Sequence, residues 1–378
     1  MALQELERPT LRGDDWLVLQ TRLCGICGSD SKQVLMDFEG GADNIMTALI
    51  SFPQVLGHEV FAHVVQVGPA IDDISVGDRV VLNPWLACAA RGIDPPCAAC
   101  VLGDYTLCHH FTDGSLAPGI HTGNSSDSPG GFGEFLPAHR SMVFKVDDDI
   151  SDEAAVLADP FAVALHAVTR NPPPDGGRAL VYGAGALGTS TLAILAALHP
   201  HVEVMAVARW QTQRDLAAKF GAALTSSTEP SVIIDEAAAW SGGVLREPFE
   251  GLPFTHPGGI DVAYDTIGSP ESIEVSIRLL AGRATLVEMG VSSPGRFEWT
   301  PWYFKELRLV GSNAFGVEMV EGTRKHAIEH YLDLVRSGRV DITPMLTHRF
   351  DLDDWRDAFD ALCRQDDTGA IKVVFDYR

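Results

Sequence analysis

Positive charge is scarce in this chain. Its 378 residues hold 28 Lys and Arg against 51 Asp and Glu, a formal net charge of −23. Polyphosphate and anionic lipid would be repelled, so neither nucleic acid nor membrane is an expected partner. Long apolar runs are missing too: none approaches the roughly 20 residues of a bilayer span. No basic segment followed by an apolar one opens the sequence, and a cytoplasmic location is expected. An even set of cysteines is also absent. There are seven, and four of them crowd between Cys88 and Cys108, a distribution that points to metal rather than to a disulfide framework. The composition is otherwise that of a folded globular protein, and the length exceeds one ordinary core, so two domains are expected.

The first 150 residues carry short β-branched runs between Gly- and Pro-rich turns. Trp16 to Leu23, Val60 to Val67 and Arg79 to Leu82 read as strands of a barrel-like β domain. Residues 151–169 turn helical behind Ser151, and the breaker cluster from Asn171 to Gly177 leads into a different rhythm. From 178 onward strands and helices alternate. Strands are expected at Ala179–Tyr182, Val202–Val207, Ser231–Ile234, Ile260–Tyr264, Ala284–Met289 and Leu307–Gly311. Helices are expected at Ala186–Leu198, Gln211–Phe220, about 270–280 and 321–336. That alternation implies a doubly wound parallel sheet. Residues 241–259 fit no element and read as a surface insertion. Thr347–Phe350 and Ile371–Phe375 read as strands that return to the first domain.

Gly183-Ala184-Gly185-Ala186-Leu187-Gly188 follows a strand and opens a helix, which is the context a dinucleotide cradle requires. The first glycine makes the turn, the second admits the pyrophosphate, and the third lets helix and strand pack closely. An acid for the ribose 2′-hydroxyl is expected at the end of the second strand, but the sequence there reads Ala208-Arg209-Trp210. Arg209, with Arg214, suits a 2′-phosphate, so NADP is favoured over NAD.

Two groups of residues suit zinc. Cys88, Cys97, Cys100 and Cys108 have the spacing C-x8-C-x2-C-x7-C. Four thiolates close a tetrahedral shell, so this is a structural site. Cys27, His58, Glu59 and Asp159 come from separated segments and mix thiolate, imidazole and carboxylate, as open catalytic sites do. Ser29 and Asp30 place a hydroxyl and an acid beside Cys27. Cys24, three residues before Cys27, reads as packing rather than as a ligand.

The run GICGSD, the GHE triplet at 57–59, the cysteine lobe, GGFGEF at 130–135, ADPFAVALHAV at 158–168, GAGALG and the ending GAIKVVF together resemble the zinc-dependent medium-chain alcohol dehydrogenases, in particular the sorbitol and threonine dehydrogenase branch. The resemblance runs over nearly the whole chain. It implies an α/β plus β fold: a GroES-like catalytic domain at 1–165, a Rossmann domain at 166–318, and a return to the catalytic domain at 319–378. It implies zinc ligands at Cys27 and His58, with Glu59 binding directly or exchanging with water and Asp159 as a further ligand. Ser29 would pass the alcohol proton outward and Asp30 would anchor the ligands. Met289, Gly290 and Val291, and Asn313 to Phe315, would border the nicotinamide, and Lys372 would reach the pyrophosphate.

Four departures stand out. Lys32 occupies the place of a relay histidine, and a lysine does not shuttle protons near neutrality unless its pKa falls. The first lobe cysteine is displaced to Cys88, so the loop 88–97 must fold back. An opening β-hairpin usual in the family is expected before Met1, so the sequence reads as starting late, with a misassigned or truncated start. Residues 36–54 form a long segment between two ligand motifs, either a cleft lid or a surface insertion. Trp85, Phe52 and Phe38 suggest an apolar pocket wall.

The expected activity is hydride transfer between an alcohol or carbonyl substrate and NADP or NAD, with two zinc ions per chain, in a homodimer or homotetramer. The alternatives are a zinc-independent NADPH reductase of activated double bonds and a non-enzymatic nucleotide-binding redox sensor.

Overall fold

The computed structural model describes residues 2–35, 45–292 and 295–378. The chain forms two compact units. One comprises Met1–Ala162, Phe315–Arg339 and Leu346–Arg378; the other comprises Val163–Ala314 and Val340–Met345.

The first unit is built on a seven-stranded sheet. In spatial order its strands are Leu346–Phe350, Lys372–Asp376, Trp16–Gly25, Glu59–Val67, Arg79–Leu82 and Val143–Lys145. Phe135–His139 also pairs with Trp16–Gly25. All contacts are antiparallel except that between the two C-terminal strands. Trp16–Gly25 therefore has neighbours on both edges and is almost wholly buried, which explains its opening apolar run Trp16 to Leu19. Its core includes Leu17, Leu19, Val60, Val64, Leu136, Val373 and Phe375. This sheet ends at the functional residues: Gly25 lies opposite both Glu59 and Val374.

The second unit holds a six-stranded, all-parallel sheet. Its order is Arg308–Gly311, Leu280–Glu288, Ile260–Asp265, Arg178–Tyr182, Glu203–Val207 and Leu224–Ser226. The first strand in sequence sits centrally and the order reverses beside it, the arrangement of a Rossmann sheet with its switch point at the carboxyl end of Arg178–Tyr182. Tyr182, Asp265 and Glu288 fall in one register row at that end.

Three sequence expectations need correction. Ser231–Ile234 is not a strand; it lies in the helix Pro230–Ser241. Its β-branched run misled, but Pro230 is pre-set for a first helical turn, and Ile233, Ile234, Ala237, Ala238 and Ser241 bury one helical face up to a left-handed Gly242. Residues 241–259 are not featureless, because Leu245–Arg246 pairs with Phe254–Thr255. The buried Thr255 hydroxyl donates to the carbonyls of Arg278 and Leu279, which docks the hairpin. The stretch 321–336 is only half helix: Val317–Val320 and Thr323–His326 form a hairpin before the helix Ala327–Arg336. His326 ends that hairpin and caps the helix, accepting from the Ile328 amide.

Of the segment 36–54, residues 36–44, including Phe38, lie outside the described residues. Ile45–Leu49 is a short 3-10 turn, and Phe52 is 73% exposed.

Candidate active site

Cys27, His58 and Glu59 each bring a ligand atom to within 4.8 Å of the others. Two neighbouring strands and one helix achieve this. Cys27 follows the strand that ends at Gly25, and His58 and Glu59 enter the strand paired with it. Gly57 makes the approach possible at φ +94, where a Cβ would strike the Phe132 ring at 2.4 Å. The amides of Gly130, Gly131 and Phe132 donate to the carbonyls of Val55, Gly57 and Leu56. The GHE and GGF motifs are thus two halves of one backbone clamp.

Asp30, buried on the helix Gly28–Leu35, fastens the ligands. Its carboxylate accepts from the Cys27 amide at 3.0 Å and lies 3.6 Å from Nδ1 of His58. Burial works against ionisation of Asp30, but His58 and the Cys27 amide outweigh it and hold the pKa below the ordinary range. Burial likewise disfavours charge on His58, yet Asp30 overrides it and raises the His58 pKa well above its usual value.

Beneath the ligands lies an ion pair between Lys372 and Glu59, both almost completely buried. The Lys372 ammonium also donates to the Ile26 carbonyl at 3.0 Å. Burial opposes its charge, and Glu59 more than restores it. The structure therefore commits Lys372 to Glu59. Gly25 is required here, because a Cβ would fall 2.0 Å from the Glu59 carboxylate.

Asp159, in the first turn of the helix Ala158–Arg170, is buried but lies outside the tight trio. Burial lifts its pKa to about 7; His58 pulls it down and Glu59 pushes it up. Asp30, Glu59 and Asp159 thus bring three buried carboxyl groups together with one ammonium. A cation is the natural complement of that charge, and the thiolate, imidazole and carboxylate donors suit zinc. Cys24 is fully buried with its thiol on the Gly25 carbonyl, and it is not among the converging donors. Ser29 is exposed on the first turn of its helix, and Lys32 lies in the last turn.

Of two neighbours of the trio, His121 escaped the sequence reading and Trp85 was read there as part of an apolar pocket wall. The His121 ring lies 4.7 Å from that of His58, and Trp85 meets His121 edge-on at 5.8 Å. Nδ1 of His121 donates to the Thr122 carbonyl at 2.7 Å. Trp85 is 6% exposed, and its indole N–H has no hydrogen-bond partner among the described residues. An unpaired buried donor costs about 1–3 kcal/mol. A lone histidine between two glycine-rich motifs carries no sequence signal of this role.

The second cluster is more regular. The sulfurs of Cys88, Cys97, Cys100 and Cys108 lie within 4.8 Å of one another. Cys88 and Cys108 are 3.6 Å apart, close to the separation of about 3.8 Å that tetrahedral Zn–S bonds impose. Backbone amides of Cys97, His109 and His110 donate to three of the sulfurs. Burial lifts the pKa of Cys108 to about 11 and that of Cys100 further still, whereas at Cys97 burial is outweighed by the backbone amides, which bring it down to about 6; ionisation of the raised thiols calls for a cation.

Arg91 explains how the long loop 88–97 returns its cysteines. Its guanidinium is fully buried and donates to the carbonyls of Leu86, Asp113, Leu116, Ala117 and Gly119. Only a planar fork with five donors serves five acceptors in this way. The sequence reading missed this residue.

In the second unit, Gly183 has φ +96 and Gly188 approaches so closely that a Cβ would lie 1.8 Å from the Gly183 carbonyl. A Cβ on Gly185 would meet nothing within 4 Å. The helix Ala186–Leu198 starts there without a side-chain cap, leaving the first amides, including those of Ala186 and Leu187, for a phosphate group. Arg209 is exposed at the end of the second strand, over the Trp210 ring at 4.7 Å. Arg214 is instead committed to the carbonyls of Ala208 and Arg209. Met289 and Gly290 donate their amides to Asp265, and the Val291 side chain is exposed. Phe315 turns inward, edge-on to His326.

Comparisons with known proteins agree with this chemistry. Residues 13–148 match the alcohol dehydrogenase GroES-like domain, and residues 186–335 match the zinc-binding dehydrogenase family. The chain is 28% identical to an L-threonine 3-dehydrogenase from Serratia proteamaculans, covering 99% of this chain and 96% of that protein. It is 27% identical to the (R,R)-butanediol dehydrogenase of Saccharomyces cerevisiae, over 84% of this chain and 81% of the relative. A crystal structure of a zinc-binding dehydrogenase from Sinorhizobium meliloti bound to NADP superposes with a TM-score of 0.73. It is 28% identical, and the match covers 98% of this chain and 94% of that one. A GroES-like zinc-ligand domain, a Rossmann sheet with its glycine cradle, and relatives that oxidise or reduce at CH–OH carbons make this chain a member of the zinc-dependent medium-chain alcohol dehydrogenases, oxidoreductases that use NAD(P).

Proposed function

We propose that the chain oxidises a small alcohol, or reduces its carbonyl partner, with Cys27, His58 and Glu59 as zinc ligands and Asp159 as the ligand that completes or exchanges in the shell. The observation that carries this reading is the convergence of those three donors in a buried pocket rich in carboxylates. Zinc bound there would supply Lewis acidity to the substrate oxygen, and the nicotinamide would accept or return the hydride. Asp30 fixes the orientation of Cys27 and His58. Lys372 holds Glu59 back by its charge, so that the carboxylate remains ionised and restrained. Ser29, exposed beside Cys27, takes the alcohol proton and passes its own to solvent. Lys32 is not needed for that step.

Cys88, Cys97, Cys100 and Cys108 hold a second, structural zinc, making two per chain. Gly183, Gly185, Ala186, Leu187 and Gly188 cradle the pyrophosphate, and Met289, Gly290 and Val291 border the nicotinamide. We favour NADP, because Arg209 is exposed where a ribose-binding acid would otherwise sit and a relative at 28% identity binds NADP. A cytoplasmic location is supported by seven unpaired cysteines. Assembly as a homodimer or homotetramer is supported by Arg308–Gly311, an edge strand of the six-stranded sheet.

The test is a panel of alcohols and carbonyls with both cofactors, run beside metal analysis. The expected result is turnover dependent on zinc, about two zinc ions per chain, and a preference for NADPH. Reduction of activated double bonds that survives complete zinc removal would replace this reading with that of a zinc-independent reductase. One zinc per chain, confined to the cysteine lobe and without turnover, would favour a redox sensor.

A further inference from the structure

The first unit holds another polar constellation, built from residues that neither metal cluster uses. Trp16–Gly25 pairs antiparallel with Phe135–His139, and the register sets Trp16 opposite His139. Asp15 is thereby carried to the end of that pairing, where its carbonyl accepts from the Arg140 amide at 2.9 Å. His139 is buried, with its ring edge-on to that of Trp16 at 5.6 Å. Nε2 of His139 lies 2.9 Å from the Asp15 carboxylate. Nδ1 lies 2.8 Å from the hydroxyl of Ser141, an exposed residue.

A backbone contact fixes where the hydrogens sit. The Ser141 amide donates to Nδ1 at 3.1 Å, so that nitrogen is an acceptor and carries no hydrogen. In the neutral ring the hydrogen is then on Nε2 and is donated to Asp15. The Ser141 hydroxyl, facing a bare Nδ1, donates to it. Serine to imidazole to carboxylate is the order that activates a nucleophile, and it is recognised by geometry and role rather than by sequence position. Capping of the turn at 140–142 by His139 accounts for the amide contact. It accounts neither for a carboxylate on the other ring nitrogen nor for a cavity beside the hydroxyl. Ser141 lines a cavity of about 350 Å³ together with Val143, Phe144, Leu332 and Lys145. The apolar side chains suit a short acyl chain. Lys145 gives Asp78 one of its three N–H donors, at 2.7 Å, which leaves the others for a developing oxyanion. Of the other charged groups in the lining, Arg140 is paired with Asp73, and Glu329 accepts from the His326 amide.

We propose that Ser141, His139 and Asp15 form an ester-hydrolysing site, separate from hydride transfer, that takes carboxylic esters with a short apolar acyl group. Oγ of Ser141 bonds to the ester carbonyl carbon while its proton passes to Nδ1 of His139. The carbonyl π electrons move onto oxygen and form the oxyanion. As they return, the bond to the alcohol oxygen breaks, and that oxygen leaves with the proton from Nδ1. Water then attacks the acyl ester on Ser141, its proton passing through Nδ1 to Oγ as the carboxylic acid departs. The sum is ester plus water to acid plus alcohol, and it needs no redox partner. Asp15 touches no reacting atom. It is a positioning residue that keeps Nδ1 turned to Ser141.

The experiment uses the full, zinc-replete chain without nicotinamide. The probes are p-nitrophenyl butyrate as the ester and a fluorophosphonate as a mass tag for an activated serine. The wild type is expected to carry the tag on the peptide containing Ser141 and to release p-nitrophenolate at least about 100-fold faster than S141A. S141A should take no tag. H139N keeps an acceptor near the Nδ1 position for the Ser141 amide and removes the base, and its tagging should slow at least about 100-fold. D15N should slow tagging about tenfold, and D15E should restore part of that loss, a rescue that a merely structural Asp15 would not give. Thermal melting shows whether each variant folds. Release by S141A within about threefold of the wild type, a tag on another residue, or unchanged tagging in a folded H139N or D15N overturns the site and leaves the dehydrogenase reading untouched.

Discussion

The two candidate metal clusters of the first unit are built in opposite ways. The cysteine lobe takes all four ligands from 21 consecutive positions, Cys88 to Cys108, and all four are thiols. The trio of Cys27, His58 and Glu59 mixes three chemistries and draws on two segments, and the proposed further ligand Asp159 comes from a distant helix. The lobe is closed, locally encoded and surrounded by amides that favour thiolate. The other site is mixed in chemistry, assembled by a sheet, and backed by an ion pair. A structural ion needs four equal donors held still. A catalytic ion needs a position free for substrate and a field that can be tuned.

That contrast breaks first at Cys27. Cys27→Ser should lower kcat by at least about 10³-fold while circular dichroism and the second zinc remain. A variant that retains full activity would remove the claim of a catalytic zinc. Lys372→Met comes next, because it strands a buried Glu59 carboxylate. Loss of one partner of a buried pair costs about 3–5 kcal/mol, readable as a large fall in the urea midpoint. A midpoint within experimental error of the wild type would mean that Glu59 is already neutral.

Cys100→Ser should act on the other cluster. Zinc content should drop by one ion per chain and Tm should fall, with residual activity per folded molecule preserved better than in Cys27→Ser. Equal damage from the two cysteines would erase the distinction between the sites. Arg91→Lys sharpens the same point without touching a ligand. A single ammonium replaces a fork that serves five carbonyls, so zinc should leave the lobe faster in a chromophoric chelator assay. An unchanged release rate would make Arg91 irrelevant to the lobe.

The smallest effect concerns the second unit. Burial, with Asp265 nearby, lifts the Glu288 pKa from 4.5 to about 8. A group whose folded pKa is raised contributes stability that is complete below its unfolded pKa and is lost as pH rises through the folded value. Wild-type Tm should therefore decline from about pH 5 toward pH 9, and Glu288→Gln should flatten that decline. A parallel decline in the variant would assign it to other groups.

Much of this architecture could be read in the chain. The strands at 60–67, 79–82 and 179–182 and the helix Ala186–Leu198 came from period and punctuation alone. GAGALG was legible because Gly183 and Gly188 serve backbone geometry that no other residue permits. Where local signals competed, the reading failed. Ser231–Ile234 has strand-like side chains, but Pro230 and an apolar face of helical period decided for helix. The hairpin 245–255 was invisible because each of its strands is only two residues long.

The sequence by itself determined the inventory: an acidic, two-unit chain with a four-thiol lobe, a glycine cradle, and a mixed ligand set at 27, 58 and 59. The lobe and the cradle are local, fixed by residue type and short spacing, and the mixed set was legible only through its motifs. Tertiary structure alone decided what surrounds them. Lys372 meets Glu59 across 313 positions because the final strand pairs with the first. Trp85, His121 and His58 pack ring against ring because separate segments converge, Trp85 and His121 through an isolated antiparallel bridge. Arg91 finds five carbonyls because two turns close around it. Such contacts depend on which strands pair and which loops meet, and no short stretch of sequence carries that information.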